Sequence, residues 1–215
     1  MDYLTPERTE KYQKVISKRQ EGLTVILENV HDPHNIGAVL RSCDAVGISE
    51  IYVIYSKASN NRLKKEIGKN SSSGSRKYVK VHFFENLEEC ILQVRKNYKL
   101  IMGTHLSEAA VSLYDIDLSG SVALMFGNEQ DGLTQEALAA LDGNFIIPQY
   151  GMVQSLNISV ACAVSVFEAS RQRKVAGAYK GDFDVDNPKH AVLMESFKDE
   201  HRKSIQSPKY LINRI

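Results

Sequence analysis

The sequence predicts an α/β fold: a parallel sheet with helices on both faces. Three observations carry this. Short apolar runs alternate with stretches of helical periodicity from residue 5 to residue 173. Polar or glycine-rich turns separate them. The runs are almost continuously apolar, as strands buried on both faces are.

The elements follow in order. TPERTEKYQKVISKRQ (5–20) opens with a Thr cap, Pro at the first helical position and Glu in the first turn, so it begins a helix. LTVILENV (23–30) is short and β-branched, a buried strand. In NIGAVLRSCDAVGI, Ile36, Val39, Leu40 and Cys43 recur at the spacing of one helical face. Asn35 is expected as the N-cap of that helix and Gly47 as its stop. EIYVIY (50–55) is a strand, NLEECILQVRKN (86–97) a helix and KLIMGTHL (99–106) a strand. SVALMFGNE (121–129) is another strand, TQEALAALD (134–142) a short helix and GNFIIPQ (143–149) a strand. A long helix spans 155–173, with Ser155 able to cap it and Asn157 in its first turn, a weak helix former with no evident structural reason to be there. Beyond 175 the chain is polar and loop-rich, and ends in a basic helix-like segment from Ala191. The expected organisation is an N-terminal helical extension (1–20), the α/β domain (21–175) and a C-terminal extension (176–215).

The 215 residues suffice for one core, with 43% hydrophobic and 25% charged residues. A net charge of +1 excludes a whole-molecule polycation. No run reaches the roughly 18 apolar residues of a membrane helix, and the polar start MDYLTPERTEKYQK is unlike a secretory signal, so a cytoplasmic location is expected. Cys43, Cys90 and Cys162 offer neither a disulfide framework nor zinc spacing; Cys43 and Cys162 fall in apolar helical patterns as small core residues. Charge is nonetheless segregated. Residues 57–80 hold eight Lys or Arg against Glu66 alone, whereas 105–145 contain seven acids and no Lys or Arg. The basic stretch, with SSSGS at 71–75, suits either a solvated loop or a surface that meets phosphates.

Four strands end in polar or glycine-rich turns: ENVHDPHN, GTHL, GNEQDG and IPQYGMVQS. Ligands of open α/β sheets bind beyond the carboxyl ends of strands, so these turns are the candidate site. Arg41 avoids the apolar stripe of its helix and is either a surface charge or an anion anchor with a bidentate fork. GNEQDGL is a tight turn by composition. Neither GxGxxG nor GxxxxGK[ST] occurs, which argues against a Rossmann dinucleotide enzyme and a P-loop NTPase. These residues are compatible with nucleic acid but do not name a reaction.

Three segments together, ENVHDPHNIGAVLRSCDAVGI, LMFGNEQDGL and IPQYGMVQSLNISVACAVSVFEASRQR, resemble the signature motifs of the SPOUT class of S-adenosylmethionine-dependent RNA methyltransferases. Within that class the chain is similar to the family that methylates the ribose 2′-hydroxyl of guanosine 18 in the tRNA D-loop, from about Thr5 to Tyr179. The resemblance implies a parallel sheet whose C-terminal segment threads a loop as a deep trefoil knot, and a homodimer. It implies that Thr104, Gly127, Ile147, Met152 and Leu156 line an S-adenosylmethionine pocket. It implies that Arg41 is the catalytic residue, a phosphate clamp, with Asn35 orienting it and Glu129, Ser155 and Asn157 positioning Arg41 and the ribose. No metal is required. Arg8, Lys11, Arg19, Arg41 and Lys77 are the expected tRNA contacts. An rRNA guanosine, another tRNA position and a non-catalytic RNA-binding dimer are the alternatives. About twenty residues precede the first strand, where rRNA-specific relatives often carry a separate domain, which favours tRNA.

Overall fold

The computed structural model describes residues 4–56, 74–153 and 155–206. In chain order the elements are α1 (Pro6–Ile16), β1 (Leu23–Glu28), α2 (Pro33–Ala45), β2 (Glu50–Ile54), a 3₁₀ turn (Ser75–Lys77) and β3 (Lys80–Phe84). There follow α3 (Leu87–Arg95), β4 (Leu100–Thr104), β5 (Val111–Ser112), a second 3₁₀ turn (Leu113–Asp115) and β6 (Val122–Phe126). The chain closes with α4 (Gln135–Ala139), β7 (Gly143–Ile146), α5 (Ile158–Val175) and α6 (Pro188–Ile205). Among the described residues, those within 20–177 form one compact unit, and those before 20 and after 177 form a second.

In the larger unit the seven strands pair in parallel in the order β3-β2-β1-β6-β4-β7-β5. Strand β1 lies between β2 and β6, and every one of its residues is buried, which is why LTVILE is apolar almost throughout. Side-chain alternation sends Leu23, Val25 and Leu27 to one face and Ile26 to the other. The first face packs on Ile36, Val39, Leu40 and Cys43 of α2 and on Ile158, Cys162, Val166 and Ala169 of α5. The second packs on Cys90, Ile91 and Val94 of α3 and Ala137 of α4. Helices therefore cover both faces. Cys43 and Cys162 are buried core thiols; a hydrogen bond with Cys162, then burial, pushes the Cys43 thiol well above its ordinary range.

Arg173 locks the far end of α5. Its guanidinium, 3% exposed, donates to the carbonyls of Leu118 (3.1 Å), Glu21 (3.2 Å), Gly22 (2.8 Å) and Gly120, and to Gln20 Oε1. Gln172 accepts from the Leu118 N–H at 2.7 Å and donates to the Ile116 carbonyl at 3.0 Å. The helix is thus tied to the segments leading into β1 and β6.

Several expectations shift. Helix α2 starts at Pro33, capped by Asp32, whose Oδ1 accepts from the His34 N–H at 2.8 Å; Asn35 is inside its first turn and is not the cap. Helix α5 starts at Ile158, and its cap is Asn157 rather than Ser155. Strand β3, partly buried at the sheet edge, and the two-residue β5 were not foreseen. Helix α6 begins three residues before Ala191, capped by Asn187. Lys57, Arg62, Lys64, Lys65, Lys69 and Ser71 to Ser73 lie outside the described residues; Arg76 and Lys77 are exposed.

In the second unit, Tyr12 of α1 meets Phe197 of α6 edge to face at 5.3 Å. The Arg19 guanidinium lies 5.5 Å over the same Phe197 ring, and the residue is 8% exposed. Arg19 is packed rather than presented to solvent, unlike the exposed Arg8 and Lys11. No described helix is long and apolar enough to cross a membrane.

Candidate active site

The carboxyl ends of β1 and β6 are neighbours, with Leu27 opposite Phe126. The turns that leave them are therefore neighbours too, and one buried acid fixes their relation. Glu28, 1% exposed, accepts from the Thr134 N–H at 2.9 Å and from its hydroxyl at 2.6 Å. Thr134 Oγ1 in turn accepts from the Ala137 N–H at 3.1 Å and so caps α4. The acid ending β1 thereby holds the far end of the 127–133 turn. Glu28 and Thr134 escaped the sequence reading. The available signal was a lone carboxylate closing a buried strand, which requires a partner.

GNEQDG folds as a tight turn. Asn128 Oδ1 accepts from the Gln130 and Asp131 N–H groups, each at 2.8 Å, and Gly132 takes φ 69°. Gly127 is glycine for space: a Cβ there would stand 2.0 Å from the carbonyl carbon of Gly132 and 2.1 Å from its oxygen. This close fold-back lifts Glu129 into solvent at the strand end.

Three of the expected residues meet. Asn35 Nδ2 donates to Glu129 Oε1, and Asn157 Nδ2 donates to Asn35 Oδ1 at 3.2 Å. Asn157 Oδ1 is committed elsewhere: it accepts from the Ser159 N–H at 2.9 Å and hydroxyl at 2.6 Å. A single line of hydrogen bonds, Asn157 to Asn35 to Glu129, thus links the beginnings of α5 and α2 with the turn after β6. Every donor and acceptor is oriented, since an amide must present NH₂ one way and oxygen the other.

Arg41 lies on α2, exposed, and forms no hydrogen bond or ion pair among the described residues. Ser155 is exposed and likewise outside the hydrogen-bonded line. Thr104 ends β4, with its hydroxyl 3.5 Å from the Met125 carbonyl. Ile147 packs against the core and Leu156 is half-buried. Met152 is 98% exposed, as is Tyr150, with Val153 beside them also exposed. Met152 therefore does not line an enclosed apolar pocket among the described residues.

Residues 22–167 match the model of the SpoU rRNA methylase family. Over 175 residues, 81% of this chain and 88% of the relative, the chain is 41% identical to the tRNA (guanosine(18)-2′-O)-methyltransferase of Thermus thermophilus. Its structure is similar to that of the A. aeolicus TrmH/SpoU tRNA-modifying enzyme, with TM-score 0.79 and 30% identity over 91% of this chain and 96% of that one. It is also similar to an AdoMet-bound rRNA methyltransferase from Sinorhizobium meliloti, with TM-score 0.62 and 32% identity over 73% of this chain and 59% of that one.

Proposed function

The chain belongs to the SpoU rRNA methylase family, and from that premise we propose that it transfers a methyl group from S-adenosylmethionine to the ribose 2′-hydroxyl of guanosine 18 in tRNA, as a cytoplasmic homodimer. The observation that carries this is the line Asn157–Asn35–Glu129, which draws together three segments far apart in sequence at the carboxyl edge of the sheet. The 41% identity over 175 residues to the Thermus tRNA enzyme supports tRNA as the substrate.

Thr104, Gly127, Ile147, Met152 and Leu156 hold the methyl donor, and the uncovered Met152 and Tyr150 are available to enclose it. The bound sulfonium supplies a methyl group that is already electrophilic, so the reaction needs neither a metal nor a cysteine nucleophile. The protein supplies position. Arg41 clamps the phosphate beside the target ribose through its planar fork, and a guanidinium, which holds its proton tightly, is a poor base. The hydroxyl proton leaves toward that phosphate. Asn35, held between Glu129 and Asn157 and not hydrogen-bonded to Arg41, helps them and Ser155 align the ribose with the methyl group. Arg8, Lys11 and Lys77 meet tRNA phosphates, and the packed Arg19 supports α1 rather than reaching outward. In the same proposal the C-terminal segment of the α/β domain is threaded through a loop as a deep trefoil knot. Its support is the family and the likeness to the A. aeolicus enzyme, since unknotted connections are the rule from propensity alone. The exposed Val160 and Phe167, seven residues apart on one side of α5, support a dimer contact.

The test is incubation with labelled S-adenosylmethionine and unmodified tRNA transcripts, followed by mapping of the labelled nucleotide. Label at guanosine 18 is expected. Label in rRNA but not in tRNA overturns the choice of substrate.

A further inference from the structure

Next to the polar line, on its β2 side, two aromatic rings are stacked. His31 and Tyr55 lie with centroids 6.0 Å apart and planes 19° from parallel. Tyr55 follows β2 and is 4% exposed; His31 follows β1 and is exposed. The pair is therefore asymmetric, with a packed base and a solvent-facing upper ring.

The base is held firmly. Asn29, with φ 54°, closes β1, and its N–H donates to the Ile54 carbonyl at 2.8 Å. Its Oδ1 accepts from the Ser56 N–H at 3.0 Å, and the Tyr55 N–H donates to the Phe84 carbonyl at 2.9 Å. These bonds lock the ends of β1 and β2 together and leave the Tyr55 ring little freedom. Among the described residues the buried Tyr55 hydroxyl has no partner, so its place there is not explained by a polar contact of its own. What the ring does provide is a rigid floor for His31.

His31 lies one residue before the Asp32 cap and four before Asn35, so the exposed imidazole and the Asn35–Glu129 pair flank one segment at the carboxyl edge of the sheet. An exposed aromatic ring held rigid beside a site for unpaired RNA is the arrangement on which a splayed-out base stacks. Resting on the methyltransferase function proposed above, we propose that His31, supported by Tyr55, is a stacking platform for a nucleobase flanking the methylated ribose.

The test compares wild type, His31→Ala and His31→Phe, measuring KM and kcat for an unmodified tRNA transcript and, separately, the Kd for S-adenosylmethionine. Loss of one base–aromatic stack corresponds to about 5- to 150-fold in affinity. His31→Ala is expected to raise KM for tRNA within that range, with the cofactor Kd unchanged, and His31→Phe to restore most of the loss. Thermal unfolding of each variant verifies that the fold is intact. An unchanged KM in His31→Ala, or His31→Phe as defective as His31→Ala, overturns the platform while leaving the methyltransferase function in place. A wild type that transfers no methyl group to tRNA overturns the function itself, and the platform with it.

Discussion

Asn157 and Asn35, 122 residues apart in the chain, share a hydrogen bond of 3.2 Å, with Asn157 Nδ2 as donor. The two ends of the Asn157 side chain have separate tasks. The oxygen caps α5 and the nitrogen holds Asn35, which in turn reaches Glu129. Stability and positioning can therefore be separated by exchanging one atom.

Asn157→Asp keeps the capping oxygen and removes the donor. Asp and Asn are nearly equivalent N-caps, so the unfolding free energy should change by no more than about 0.5 kcal/mol. Misplacement of Asn35 should lower kcat by about 10- to 100-fold. Urea denaturation and single-turnover methyl transfer measure the two effects independently.

Arg41 is exposed and forms no hydrogen bond or ion pair among the described residues, so Arg41→Ala should alter stability by no more than about 0.5 kcal/mol. As a phosphate clamp it should matter in the transition state, and its loss should lower kcat by about 100- to 1,000-fold with cofactor binding preserved. Arg41→Lys retains charge but not the fork and should recover only part. Calorimetric cofactor titration beside methyl-transfer kinetics distinguishes the roles.

How much of this was legible in the sequence depends on range. The buried strand β1 and the stripe of α2 could be read because both reflect local periodicity. Edge strand β3 could not: KVHFF is only partly buried and follows directly on a basic stretch. Asp32 followed by Pro33 at the first helical position is a stronger cap signal than Asn35, which therefore falls inside the first turn. Asn157 gains its structural reason only because the helix begins at Ile158 and not at Ser155, which makes it the cap as well as the donor to Asn35. No periodicity could bring residues 35, 129 and 157 together; that expectation came from resemblance to a family, and the hydrogen bonds supply its physical form. The Glu28–Thr134 contact spans 106 residues and had no local mark beyond an acid in an apolar strand.

Removing that acid should be costly. Glu28→Ala leaves the Thr134 N–H and hydroxyl without their acceptor and opens space between β1 and the 127–134 turn. A loss of about 3 kcal/mol is expected, given that a hydrogen bond to a charged group contributes about 1.5–3 kcal/mol. Thermal unfolding reads the loss, and weaker cofactor binding should accompany it as Gly127 and Glu129 loosen.

At the opposite edge of the sheet, Glu50 accepts from His82 Nε2 at 2.8 Å and from the hydroxyls of Tyr52 (2.9 Å) and Tyr98 (3.1 Å). The His82 contact, seconded by Tyr52 and opposed by burial, holds the Glu50 carboxyl below its ordinary range. A group with a depressed folded pKa stabilises fully above its unfolded value, about 4.3, and that contribution disappears as pH falls through the folded pKa. The stability gap between wild type and Glu50→Gln should therefore be constant near neutrality and shrink below about pH 4.3. Urea midpoints across pH 3 to 7 follow it.

The most direct measurement uses two tRNA transcripts that differ by one oxygen: guanosine at position 18, or 2′-deoxyguanosine there and ribose everywhere else. With labelled S-adenosylmethionine, the first should accept one methyl group per molecule and the second none, although both bind. Equal labelling of the two would contradict methylation of that ribose hydroxyl.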